Sequence, residues 1–149
     1  MIKVYQTRFG GENSPKEKQG NCAQACIASL LELPLEETFD ITLYDDRDWY
    51  DHLANWLHQR GYHMICFPYL DVDNKPLKLP GYYIVGGKQK ASGTKHVVIA
   101  SNGELVHDPL FPDGGISEIE PTEIWLIYPL NPVRLVNLKN PAIKEVSNG

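Results

Sequence analysis

Three cysteines and five histidines carry most of the reactive chemistry available to this 149-residue chain. A cysteine nucleophile needs a stabilised thiolate, a histidine to take and return the proton, a group that orients the histidine, and donors for an oxyanion. Each requirement has a candidate. Cys22 follows Asn21, a good N-cap residue, and opens the run Cys22-Ala-Gln-Ala-Cys26-Ile-Ala-Ser-Leu-Leu-Glu-Leu33. At a helix start the dipole and the unpaired backbone N–H groups favour negative charge on sulfur. Cys26 lies one turn deeper and loses most of that benefit. Cys66 sits between Ile65 and Phe67 in a strand-like run, where burial makes a thiol inert. His96 begins the apolar segment Val97-Val98-Ile99, next to Gly93-Thr94, a position at a strand end where a base stays reachable. Asp108, followed by the strand-ending Pro109, is the candidate for holding the imidazole.

The elements that must position these groups follow from periodicity. Residues 1–8 read as a short strand and residues 9–19 as a loop of Gly, Asn, Ser and Pro. Cys22, Cys26, Ser29, Leu30 and Leu33 recur at helical spacing until Pro34. An acidic connection over 34–46 has room for one helical turn near Leu35–Thr38. Trp49, Leu53, Trp56 and Leu57 then form one apolar stripe of a second helix over 47–60, stopped by Gly61. Strands are expected over 62–70, 81–87, 94–100, 104–108 and 123–129, with a polar loop over 71–80. Residues 86–95 read as a mobile loop beside His96. Helices segregated from a run of antiparallel strands make an α+β domain.

The pairing of His96 with Asp108 depends on one turn, Ser101-Asn102-Gly103. A two-residue turn at Asn102-Gly103 sets His96 opposite Pro109 and points Asp108 to the other face. A three-residue loop with Gly103 left-handed sets His96 opposite Asp108. Gly103 suits the second, which is the register expected.

Composition narrows the function. Lys and Arg number 14 against 19 Asp and Glu, a net charge of -5, the wrong sign for a protein that neutralises phosphates, so nucleic acid is not expected as a ligand. Three cysteines cannot all pair with one another and are read as reduced thiols of a cytoplasmic protein. Residues 1–8 lack a signal-peptide core and no run nears the roughly 20 apolar residues of a membrane span, so neither secretion nor membrane insertion is expected. His52, His58 and His63 read as surface residues and His107 as a satisfied strand residue. Zinc and EF-hand calcium spacings are missing, as is a phosphate-loop context, and no metal or cofactor is expected. Trp49, Trp56 and Trp125 are expected in the core, and Asp45, Asp46, Asp48 and Asp51 on a solvated face. The size suits a single domain over 1–139 followed by a flexible tail over 140–149.

Asn21-Cys22-Ala-Gln-Ala-Cys26-Ile-Ala-Ser-Leu-Leu31, with His96-Val-Val-Ile and Asp108-Pro109, resembles the papain-like cysteine peptidases that process double-glycine leaders of bacteriocins. The resemblance spans about residues 6–109. It implies a papain-like fold, a nucleophile helix packed on an antiparallel sheet, and a triad of Cys22, His96 and Asp108. In that family the oxyanion glutamine lies six residues before the cysteine, where this chain has Lys16, and the glycine after the cysteine is Ala23 here. Gln19 or Gln6 must then supply the side-chain donor. Gln19-Gly20-Asn21-Cys22 with Cys26 is also similar to the Gln-Gly-Ser-Cys-Gly-Ser-Cys of papain-type enzymes, whose second cysteine attacks.

The expected activity is cleavage of an amide, isopeptide or thioester bond in a peptide, a protein or a small amide, with acyl transfer to another acceptor using the same parts. Two other readings stand beside it: a non-catalytic domain that holds a peptide or partner protein, and a thiol redox or S-acyl carrier acting through Cys22 and Cys26.

Overall fold

Alanines and a serine make the first helix a close-packing one. In α1 (Cys22–Leu31) every residue from Ala23 to Ser29 is buried, because small side chains let the helix settle directly onto the sheet. It stops two residues earlier than its apolar spacing suggests. Glu32 turns left-handed at φ 56° and its N–H caps Ala28 O, so the chain leaves before Pro34 is reached. The second helix, α2 (Trp49–His58), buries Leu53 and Leu57 and ends ahead of Gly61, whose φ of 83° suits glycine. Between them lie two single turns, Leu35–Glu37 and Ile41–Leu43.

The computed structural model describes residues 1–131; the expected tail over 140–149 and the end of the 1–139 domain lie outside the described residues. Five strands follow the helices: β1 (Tyr62–Pro68), β2 (Tyr82–Gln89), β3 (Lys95–Ser101), β4 (Glu104–His107) and β5 (Ile119–Pro129). They form one antiparallel sheet in the order β1-β5-β2-β3-β4, so the last strand inserts between the first two. The architecture is α+β, two helices and a five-stranded antiparallel sheet. Residues 88–89, expected in a loop, instead continue β2. β5 begins four residues earlier than its apolar run because residues 119–121 pair with 87–89.

Each face of the sheet has its own core. On the helix side Cys26, Ile27, Leu53, Leu57, Met64, Ile84, Val97, Ile99 and Trp125 pack together. On the other, Tyr83, Val85, Val98, Ala100 and Ile124 are covered by Tyr69, Leu77 and Leu79 of the 69–81 connection, which explains leucines in an otherwise polar loop. Residues 1–8 are not a strand. They lie extended and are pinned instead by Ile2 N–H to Ser29 O, Gln6 N–H to Pro109 O, and His107 Nε2 to Val4 O. Among the described residues no helix is long and apolar enough to cross a membrane.

Candidate active site

The hairpin between β3 and β4 settles where Asp108 goes, and not by the route that the glycine suggests. The turn has two residues: Asn102 at φ 53° and Gly103 at φ 85° are both left-handed, and Ser101 pairs with Glu104. That register alone would separate His96 from Asp108. One position later the ladder slips, from Ala100 opposite Leu105 to Ile99 opposite His107, so Val106 is an extra residue in β4. A one-residue slip inverts parity, and Asp108 regains the face of His96. The bulge does what the three-residue loop was expected to do.

The outcome is a short buried contact. His96 Nε2 lies 2.8 Å from Asp108 Oδ1, with the side chains 5% and 0% exposed. Asp108 is held in turn by backbone: Leu110 N–H donates to Oδ1 at 3.0 Å and Ser117 N–H to Oδ2 at 2.8 Å. Burial raises the carboxyl pKa, but the bonds from His96, Ser117 and Leu110 outweigh it and bring Asp108 down to about 2. For His96, burial disfavours the imidazolium; the bonds to Asp108 and Cys22, and their charges, prevail and raise it to about 9. With Nε2 committed to Asp108, Nδ1 is the ring nitrogen left for the cleft that Cys22 lines.

Cys22 is the first residue of α1 and is half-buried. Asn21 occupies the N-cap position without capping the helix. Its Oδ1 accepts from Thr7 N–H and Arg8 N–H, both at 2.9 Å, while its Nδ2 donates to Thr7 Oγ1 and Gln24 Oε1. Gln24 in turn donates to Leu35 O and Thr38 O. The side chain that usually satisfies a helix start is spent on holding residues 7–8 against it, and the Cys22 N–H keeps no acceptor among the described residues. Cys26, the competing nucleophile, is fully buried, its sulfur 3.6 Å from Val97 O, and burial pushes its thiol well up. Cys66 is exposed rather than buried, and its thiol is raised to about 11 by desolvation and by Glu123.

The two glutamines part company. Gln19 Nε2 donates to Glu12 O and Ser14 O, bracing the 9–19 loop, so its amide is committed away from Cys22. Gln6 is buried. Its Nε2 donates one hydrogen to Arg8 O at 2.9 Å and lies against Gly20, and its Oε1 has no partner. Lys16, at the position where the resembled family has its glutamine, is exposed and pairs with Asp45.

Cys22, His96 and Gln6 open into one cleft of about 620 Å³, whose farther wall is Trp49, Gly86, Glu123 and Trp125. Nothing in the spacing of the sequence pointed to that wall, since its members come from α2, β2 and β5. The histidines outside the site behave differently from one another. His107 is buried with its pKa lowered by desolvation and donates to Val4 O. His58 Nε2 and His63 Nδ1 sit 2.8 Å apart, a contact that two surface residues were not expected to make. Among the described residues no group of three or more His, Cys, Asp or Glu side chains could hold a metal ion. No family model, no curated protein and no solved structure matches this chain.

Proposed function

We propose that the chain is a cysteine hydrolase of papain-like fold, related to the leader-processing peptidases it resembles. The observation that carries this is the buried His96–Asp108 pair opening into the same cleft as Cys22, which begins a helix without a side-chain cap. Cys22 sulfur attacks the substrate carbonyl while His96, protonated at Nδ1 and held by Asp108, stands ready beside the leaving group. The oxyanion that forms accepts from the Cys22 N–H and from the second hydrogen of Gln6 Nε2. Collapse expels the amine or thiol, which takes the Nδ1 proton, and leaves an acyl thioester on Cys22. His96 then draws a proton from water, or from another acceptor, as its oxygen or nitrogen attacks the thioester; the acid, or the acylated acceptor, is released and the sulfur returns to its starting state.

One observation favours a non-catalytic binding domain instead: Gln19, the nearer of the two candidate oxyanion glutamines along the chain, is turned into a loop, and Gln6 already spends one hydrogen on Arg8. Site-resolved iodoacetamide labelling between pH 5 and 9 separates the two readings. A hydrolase requires Cys22 to react faster than free cysteine at pH 6 and to lose that advantage in His96→Ala. A binding domain predicts ordinary thiol behaviour in both proteins.

A further inference from the structure

The cleft has a second pole, and its chemistry differs from that of the triad. Glu123 projects from β5 on the helix side, two residues before Trp125 and so on the same face, and pairs across the ladder with Gly86. Gly86 is where the carboxylate goes. A side chain at that glycine would begin 2.9 Å from Glu123 Oε1 and 3.0 Å from its Cγ, so the acidic group lies folded over a bare backbone. Beyond it, Trp49 and Trp125 stack at 5.4 Å between ring centroids and line the same cleft.

Among the described residues this carboxylate forms no hydrogen bond or ion pair. Two other carboxylates of the cleft are engaged, Asp40 with Arg8 and Asp45 with Lys16. An unpaired carboxylate beside stacked indoles is a receptor for an organic cation, joining a charge-assisted hydrogen bond to the pull of an aromatic face. Distance ties it to the site of attack. Gly86 pairs with Val97 on its other side, and Val97 lies under α1, its carbonyl bonded to Cys26. Neighbouring strands are about 4.8 Å apart, so the carboxylate over Gly86 stands about one strand from the base of the nucleophile helix. A lysine or arginine side chain spans that gap from a peptide backbone laid across Cys22.

We infer that Glu123, with Trp49 and Trp125, forms a subsite for a basic side chain of the substrate within two residues of the scissile carbonyl, which makes the substrate class a lysine- or arginine-bearing peptide. The inference rests on reading the cleft as a substrate site. Its test avoids chemistry altogether. In a Cys22→Ala protein, intrinsic tryptophan fluorescence is titrated with two capped pentapeptides, Ala-Ala-Lys-Ala-Ala and the same sequence with norleucine at the centre. The lysine peptide should bind at least tenfold more tightly, lose affinity as salt rises, and fall to the norleucine value when Glu123→Gln is added. Gly86→Ala, which drives a methyl into the space of the carboxylate, should also lower the preference and serves if the first variant does not fold. Equal affinities, binding of neither peptide, or a lysine preference that survives both substitutions would overturn the subsite. Labelling of Cys22 reads the nucleophile separately. Fast labelling without a lysine preference removes the subsite alone, and a lysine preference with an ordinary thiol leaves a cation-binding cleft that does no chemistry.

Discussion

Asp108→Asn removes one charge and almost no volume, and its effect can be worked from the contacts. The carboxylate accepts at both oxygens, from His96 and Leu110 at Oδ1 and from Ser117 at Oδ2. An asparagine has one acceptor oxygen. If it faces His96, the amide NH2 opposes the Ser117 N–H; if it faces Ser117, the NH2 opposes the Leu110 N–H and turns His96 into an acceptor at Nε2, the wrong tautomer. Either way a buried donor loses its partner, at a cost of about 1–3 kcal/mol. The larger consequence is protonation. With His96 at about 9, about 97% of it is imidazolium at pH 7.5, by the ordinary titration relation. Without the carboxylate, burial is opposed by Cys22 alone; a return to the ordinary 6.5 leaves about 9%, a change of roughly tenfold. Iodoacetamide labelling of Cys22 at pH 7.5, followed by peptide mass, should slow by about that factor, while Cys66, exposed and raised to about 11, serves as an internal reference whose rate does not move. A Cys22 rate equal to that of the unsubstituted protein, in a folded variant, would refute the coupling of Asp108 to the sulfur through His96.

Stability should depend on pH from both sides. His96 is raised from 6.5 to about 9, so its contribution of about 3 kcal/mol is complete below pH 6.5 and lost as pH rises through about 9; Asp108 is lowered from 3.8 to about 2, so its contribution is complete above pH 3.8 and lost as pH falls through about 2. Urea midpoints should therefore fall on both flanks, and His96→Ala should flatten the alkaline one. Asn21→Ala strips the acceptor from Thr7 N–H and Arg8 N–H, and a loss of about 2–4 kcal/mol in urea unfolding is expected, with residues 7–8 becoming accessible to protease. Gly87→Ala places a methyl 2.1 Å from Glu120 O and should lower the thermal midpoint by several degrees by prising β2 from β5. Gln6→Ala should leave iodoacetamide labelling of Cys22 intact and slow acyl transfer by roughly 10²–10³-fold, the cost of one oxyanion donor.

Local signals carried most of the element types, and long-range pairing is where they ran out. The stripe through Trp49, Leu53, Trp56 and Leu57 and the small-residue run after Cys22 are periodic, and both helices lie where those patterns put them, α1 ending two residues early and α2 two residues shorter at each end. The parity of Asp108 depended on a bulge at Val106, which no turn residue encodes and which arises from how β4 meets β3. Residues 1–8 alternate like a strand, yet their backbone bonds go to Ser29 O of α1, to Pro109 O beyond β4 and to the buried His107 imidazole rather than to a sheet edge. Gln19 was nearer to Cys22 along the chain than Gln6, but the 9–19 loop needed its amide to satisfy two carbonyls of its own. Glu123 and the tryptophan pair were invisible for the same reason as the order β1-β5-β2: β5 inserts into the sheet from far along the chain.

Turnover of an activated ester bears on the central claim most directly, because it requires attack by Cys22, proton transfer through His96 and release of the acyl group, and needs no knowledge of the natural substrate. With p-nitrophenyl acetate in excess over protein, an account built on Cys22, His96 and Asp108 requires nitrophenolate beyond one equivalent, and an acetyl adduct that intact-protein mass and peptide mapping assign to Cys22. His96→Ala should slow both formation and loss of that adduct, and Cys22→Ala should abolish turnover. Release that survives Cys22→Ala, or an adduct on Cys26 or Cys66 with Cys22 untouched, would contradict the assignment of Cys22 as the nucleophile.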